Sequence, residues 1–197
     1  MFPRLIYSIT GNPQFFGQWT DLTTVQTIPS ILLEPPKEAT HYVYYTSGDV
    51  AAILVNETLT GGTSAKTAIM VAKATFGGTV GGHNAFGILL LRAPSGTFVA
   101  ETLTGGTSSG TVVIANALIP LKFKGIKARA FLGIVSTAAV NWTIDGTLPT
   151  VSGGTNVGMP TGSGVAINIG EPDALQQFQV INGTASNSAT LQWTLFF

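Results

Sequence analysis

The sequence predicts an all-β protein: a duplicated β-hairpin region, a small antiparallel β-sandwich of jelly-roll-like kind, and an extended, loop-rich N-terminal arm. Three observations lead there. Thr, Val, Ile and Phe gather in short runs, roughly 4–8 residues, bounded by Gly, Asn, Ser and Pro, which is the strand-and-turn pattern. Few windows place apolar residues at i, i+3, i+4 and i+7, and Gly or Pro interrupts most of those. Finally, Glu57-Thr58-Leu59-Thr60-Gly61-Gly62-Thr63-Ser64 recurs unchanged as Glu101-Thr102-Leu103-Thr104-Gly105-Gly106-Thr107-Ser108.

Residues 1–40 stand apart. Gly11-Asn12-Pro13, Phe15-Phe16-Gly17 and Leu33-Glu34-Pro35-Pro36-Lys37 show little alternation, and the Pro-Pro pair removes ladder donors and marks a boundary. This segment reads as an arm or cap. His41-Tyr42-Val43-Tyr44-Tyr45 follows as a strand and opens a hairpin-repeat domain over 41–117. Within it each repeat copy reads as strand, tight Gly-Gly turn, strand, with Gly supplying positive φ. Val55 matches Val99 and Thr67 matches Thr111, so the likeness extends beyond the identical core. Between the copies, Gly77 to Asn84 is a Gly-rich loop and Phe86 to Arg92 a strand. Two copies are too few for a solenoid, so a duplicated hairpin within one β-domain is the preferred reading.

From 118 to 197 the pattern is that of a small sandwich. Its strands are expected at Phe123–Ala130, Ala138–Ile144, Val165–Ile169, Phe178–Ile181 and Thr190–Phe197. Asp145-Gly146, Ser152-Gly153-Gly154, Gly162-Ser163-Gly164 and Asn182-Gly183 supply the turns. The last strand alternates Leu191, Trp193, Leu195 and Phe197 against Gln192, Thr194 and Phe196. A chain ending on Phe196-Phe197 is expected to hold its terminus in a sheet or an interface.

Composition narrows the function. Of 197 residues only 9% are charged, net charge is zero and there is no Cys, whereas about 25% charge is usual in soluble domains. Disorder, disulfide scaffolds, thiol chemistry and cysteine-ligated metals are excluded. No apolar stretch approaches the ~18 residues of a membrane helix. Met1-Phe2-Pro3-Arg4 does not open a signal peptide, and zero net charge gives no ground for nucleic-acid binding. What remains is a neutral chain suited to permanent assembly.

Little points to catalysis. His41 and His83 are the only histidines; His41 reads as a hydrogen-bonded or surface residue, His83 as exposed in a loop. No Gly-x-Ser-x-Gly elbow leads a strand into a helix, and Gly-Gly-Thr-Ser lacks the Lys and the helix of a P-loop. Glu57 and Glu101 are the tempting carboxylate pair. They are better read as turn residues bonding nearby Thr hydroxyls or backbone. Neither a cofactor nor a metal is expected. Lys122, Lys124, Lys127 and Arg129 hold four of the nine basic residues; they fit an acidic partner surface, or the solvated face of an edge strand with a bulge near Gly125. Asn56, Asn141 and Asn182 match the glycosylation pattern, a match frequent by chance.

The octapeptide repeat resembles hairpin segments in structural proteins of tailed bacteriophages. Trp142-Thr143-Ile144-Asp145-Gly146-Thr147-Leu148-Pro149-Thr150 with the closing aromatic strand is similar to small β-sandwich domains on phage heads and tail fibres. The resemblance implies a non-enzymatic virion protein assembled in the host cytoplasm. A head decoration (cement) protein bridging capsid subunits is the first expectation. Its partners would be the major capsid protein or other virion subunits, with a homo-oligomer (trimer before dimer) and neither nucleic acid nor membrane. Phe2, Phe15, Phe16 and Trp19 would anchor the arm on neighbouring subunits. Deleting residues 1–40 is then expected to abolish capsid binding and leave the β-domain folded. The alternative is a tail-fibre or tail-tip receptor or carbohydrate-binding module. Trp142 or Trp193 would be its sugar platform, although both sit in alternating strands that favour the core.

Overall fold

The computed structural model describes residues 14–19, 22–48, 53–79, 82–151, 158–185 and 188–197. It is nearly all β, with antiparallel pairing throughout. Among the described residues no helix is long and apolar enough to cross a membrane.

The chain begins in the sandwich. β1 (Gln14–Trp19), β2 (Gln26–Thr27) and the short α1 (Ser30–Leu33) come first. A barrel follows: β3 (His41–Gly48), β4 (Thr58–Gly61), β5 (Thr67–Gly77), β6 (Phe86–Arg92), β7 (Glu101–Gly105) and β8 (Thr111–Ile114), with β9 (Ile119–Pro120) added on β3. The chain then returns to the sandwich through β10 (Ala130–Ser136), β11 (Val140–Thr143), β12 (Met159–Thr161), β13 (Ala166–Ile169), α2 (Pro172–Gln177), β14 (Gln179–Asn182) and β15 (Thr190–Phe196). One sandwich sheet runs β1-β15-β10-β13 and the other β12-β11-β14-β2. The barrel runs β6-β5-β4-β7-β8-β3, and pairing of β3 with β6 closes it.

Two cores result. Val43, Leu59, Met70, Leu89, Leu91, Phe98 and Leu103 fill the barrel. The second core joins the inner faces of the sandwich to the outside of the barrel: Tyr42, Val71, Phe76, Ile88 and Leu90 pack with Phe15, Phe131, Leu191 and Trp193. The run Ile88-Leu89-Leu90-Leu91 is therefore apolar without alternation because odd and even residues enter different cores, and all four are fully buried.

The N-terminal segment departs from the expected arm. β1 pairs with β15 along its whole length, from Gln14↔Phe196 to Trp19↔Leu191, and β2 pairs with β14. Phe15 and Trp19 are buried in the sandwich core, so they are not exposed anchors. The alternating pattern that would have announced β1 is hidden because Gly17 stands at an inward position. A Cβ there would overlap the Trp193 indole. Phe16 points outward and is 52% exposed; Phe2 lies outside the described residues. Removing residues 1–40 would take Phe15, Trp19, Leu22, Ile28 and Leu32 from the core, so the truncated chain would not keep its fold.

The expected strand at 123–130 is also replaced. Leu121, Phe123 and Ala128 are buried, but Gly125 adopts φ +67° and the Ile126 N–H bonds the Phe123 carbonyl at 3.2 Å. Backbone bonds to Pro35 and Leu33 hold this segment as an irregular loop, and β10 starts only at Ala130. The chain end behaves as expected: β15 is the sheet's central partner for β1 and β10, and the Phe197 ring stacks on Phe123 at 4.3 Å.

Candidate functional site

The repeat organises the barrel. β4 and β7 pair antiparallel with Thr60 opposite Thr104, the two equivalent residues of the copies, so a local two-fold axis runs through that pair. Gly62 N–H donates to the Thr102 carbonyl and Gly106 N–H to that of Thr58, both at 2.9 Å.

The two glutamates complete the symmetry. Glu101 Oε2 accepts from the backbone N–H groups of Thr63 and Ser64 at 2.9 Å; its Oε1 accepts from Ser64 Oγ at 2.8 Å and from Val99 N–H at 3.2 Å. Glu57 does the same to the other turn, with Thr107 and Ser108 N–H at 3.0 Å, Ser108 Oγ at 2.8 Å, and the Leu54 N–H. Each repeat thus clasps the turn of the other. The sequence predicts neighbouring partners for these glutamates; one backbone donor of each, Leu54 or Val99, is local, and the other partners lie 37 to 51 residues away. The identity of the octapeptides held the signal, since a reciprocal clasp requires both Glu and both Thr-Ser pairs.

Both carboxylates are buried. Burial alone would raise the Glu57 pKa. Hydrogen bonds from Ser108 N–H, Leu54 N–H, Ser108 hydroxyl and Thr107 N–H outweigh it and bring the pKa down to about 2. Glu101 is lowered for the same reason: burial acts upward, and donors from Ser64, Thr63 and Val99 act downward more strongly. A carboxylate held ionised with four donors has no proton to give and little capacity to take one. The pair is architectural.

The glycines have a role other than the expected one. Positive φ in the two turns falls on Ala65 (53°) and Ser109 (56°), not on the Gly-Gly doublets. Gly61 and Gly105 are required because a Cβ would enter the opposing carboxylate; at Gly105 it would lie 2.6 Å from Glu57 Oε2. At Gly62 the nearest atom to a Cβ is a backbone oxygen at 3.4 Å. Gly61→Ala is therefore expected to destabilise the fold by about 1–3 kcal/mol and Gly62→Ala by well under 1 kcal/mol, measured by urea denaturation.

Lys122, Lys124, Lys127 and Arg129 are all exposed, on the loop between β9 and β10. Buried neighbours turn their side chains to solvent. The Lys37 stem lies over Gly125, which brings a fifth cation to this side, and Glu34 shares a small cleft with Lys127. Among the described residues no three His, Asp or Glu side chains group as a metal site. Asn141 and Asn182 are buried and hydrogen-bonded to Thr150 and Ala189, which removes them as glycosylation acceptors.

One hollow was not legible in the sequence. It is a groove of about 640 Å³ where the sheet face of β1, β15 and β10 meets β3, β5 and β6 of the barrel. Phe16 stacks on Tyr44 at 5.0 Å on one side, and Phe16 N–H donates to the Tyr44 hydroxyl at 3.2 Å. Trp193 lies at its base and is buried, while Trp142 is half-buried with Nε1 donating to Thr161 Oγ1 at 2.8 Å. Neither tryptophan forms the open platform that a sugar-binding module would need, in keeping with their places in alternating strands. Comparison with protein-family models, with curated proteins and with solved structures finds no match to this chain.

Proposed function

We propose that the chain is a non-enzymatic structural protein of a bacteriophage particle, of the capsid-decoration kind, which stabilises the head by bridging capsid subunits as a homo-oligomer. The observation that carries this reading is the exposure of large apolar side chains on a surface poor in charge. Val55 and Val99 stand at equivalent places in the two repeats, 59% and 45% exposed, and Leu54 beside Val55 and Val113 on β8 are exposed as well. Because β4 and β7 are antiparallel, the two valines precede opposite ends of the pair. A contact made at one end is repeated at the other, which suits a bridge between two subunits. Covering such surface removes it from water and favours association. The basic loop would steer the chain toward an acidic subunit face.

The test is to mix the purified chain with empty capsids of the parent phage. Co-sedimentation at fixed stoichiometry and a rise in capsid melting temperature are expected, since a ligand of the assembled lattice stabilises it by mass action. Val55→Asp with Val99→Asp should abolish binding while the chain stays folded. Absence of co-sedimentation by the unaltered protein overturns the proposal. A tail-fibre or tail-tip binding module is the second reading, and the groove beside Phe16 favours it.

A further inference from the structure

We infer that the groove between the β1-β15-β10 face and the barrel binds a neutral oligosaccharide. This rests on the groove alone and holds for a head or a fibre protein alike.

The floor is built from two cross-strand rungs. Gln18 pairs with Gln192, which pairs with Ile134; Phe16 pairs with Thr194, which pairs with Leu132. Amides, a hydroxyl, a ring and two aliphatic side chains therefore alternate over a flat patch three strands wide. The barrel supplies the wall with Tyr44, Thr46 and Phe86. The volume is that of an ordinary ligand site.

The chemistry selects the ligand. None of the described residues lining the groove is an acid, a lysine, an arginine or a histidine, so none of them would repay desolvation of an ionic ligand. Tyr44 has its pKa raised by burial and stays neutral. Among the described residues, the side-chain amides of Gln18 and Gln192 take no hydrogen-bond partner. Side by side they present donors and acceptors at the spacing of adjacent strands, about 5 Å, which neighbouring sugar hydroxyls can meet. Phe16 offers an exposed ring face, and aromatic faces take the polarised C–H groups of a pyranose. A peptide is the poorer occupant. β15 and β10 are paired on both edges, and at the β1 edge the Phe16 N–H is spent on Tyr44, so the floor offers mainly side chains.

The experiment screens the full chain on an array of neutral and acidic glycans. Hits are followed by titration of the soluble neutral oligosaccharide, read by Trp fluorescence and by saturation-transfer NMR. Saturable binding to neutral glycans is expected. Gln18→Ala with Gln192→Ala should weaken it at least tenfold, and Phe16→Ala should do likewise, with thermal melts near those of the unaltered chain. Ile134→Arg, a second blocking variant at an already exposed position, should abolish it. No neutral binding at millimolar glycan overturns the inference, as does binding confined to acidic glycans or binding that survives all three changes. Capsid co-sedimentation of the same variants should be unaltered, which separates this site from the assembly surface.

Discussion

Phe15→Ala will destabilise the protein by about 3–5 kcal/mol, whereas Phe16→Ala, one residue on, will cost about 1 kcal/mol or less. Phe15 is fully buried and makes edge contacts with Tyr42 at 5.2 Å, Phe123 at 4.8 Å and Phe197 at 5.6 Å. Truncation removes the ring's transfer energy, three aromatic contacts and the filling of a site where sandwich, barrel and chain end meet. The surrounding strands are paired and cannot collapse into the gap. Phe16 loses only its stack on Tyr44. Urea denaturation with an unchanged m-value distinguishes the two. If Phe15→Ala cost no more than Phe16→Ala, the segment would be a detachable arm after all.

That contrast shows why the first forty residues misled. Period-two patterning is read from side chains, and β1 spends an inward position on Gly17 so that the Trp193 indole fits beside it. Six residues with one blank carry too little pattern. β6 and β15 were legible for the opposite reason: each is longer, and its inward residues are large. The groove was invisible because its rungs come from β1, β15 and β10, which are far apart in sequence and whose outward residues look like ordinary surface. No local signal places Gln18 beside Gln192.

The shortage of charge also changes meaning. Burial between subunits is one way to account for it, yet the chain buries much of its own surface twice. β3, β5 and β6 face the barrel interior on one side and the sandwich on the other. Such strands leave little solvated face for Lys or Glu, and the half-buried Lys73 is the one charge within β5. The remaining surface, with Val55, Val99 and Leu148 exposed, is what association could still cover.

The clasp carries the second large effect. Glu57→Ala is expected to cost about 3 kcal/mol, because it strands the N–H groups of Leu54, Thr107 and Ser108 along with the charge-assisted bonds they made. Glu57→Gln keeps the shape, but its NH₂ cannot accept, so two donors lose their partner and about 2 kcal/mol goes with them. Glu101 substitutions should match, since the axis through Thr60 and Thr104 makes the environments equivalent. Acidity supplies an independent reading. Glu57 ionises at about 2 in the fold, below the ordinary 4.5, so the unfolded chain takes up the proton first. The stabilisation is complete above about pH 4.5 and is lost as pH falls toward 2. Glu101 contributes with the same sign. Equilibrium unfolding measured from pH 7 to pH 2 should therefore steepen across that window in the unaltered chain. Glu57→Gln with Glu101→Gln should flatten it, because amides do not titrate. A double variant with the same acid slope as the parent would mean that other carboxylates set it, and that the clasp is geometry without electrostatic consequence.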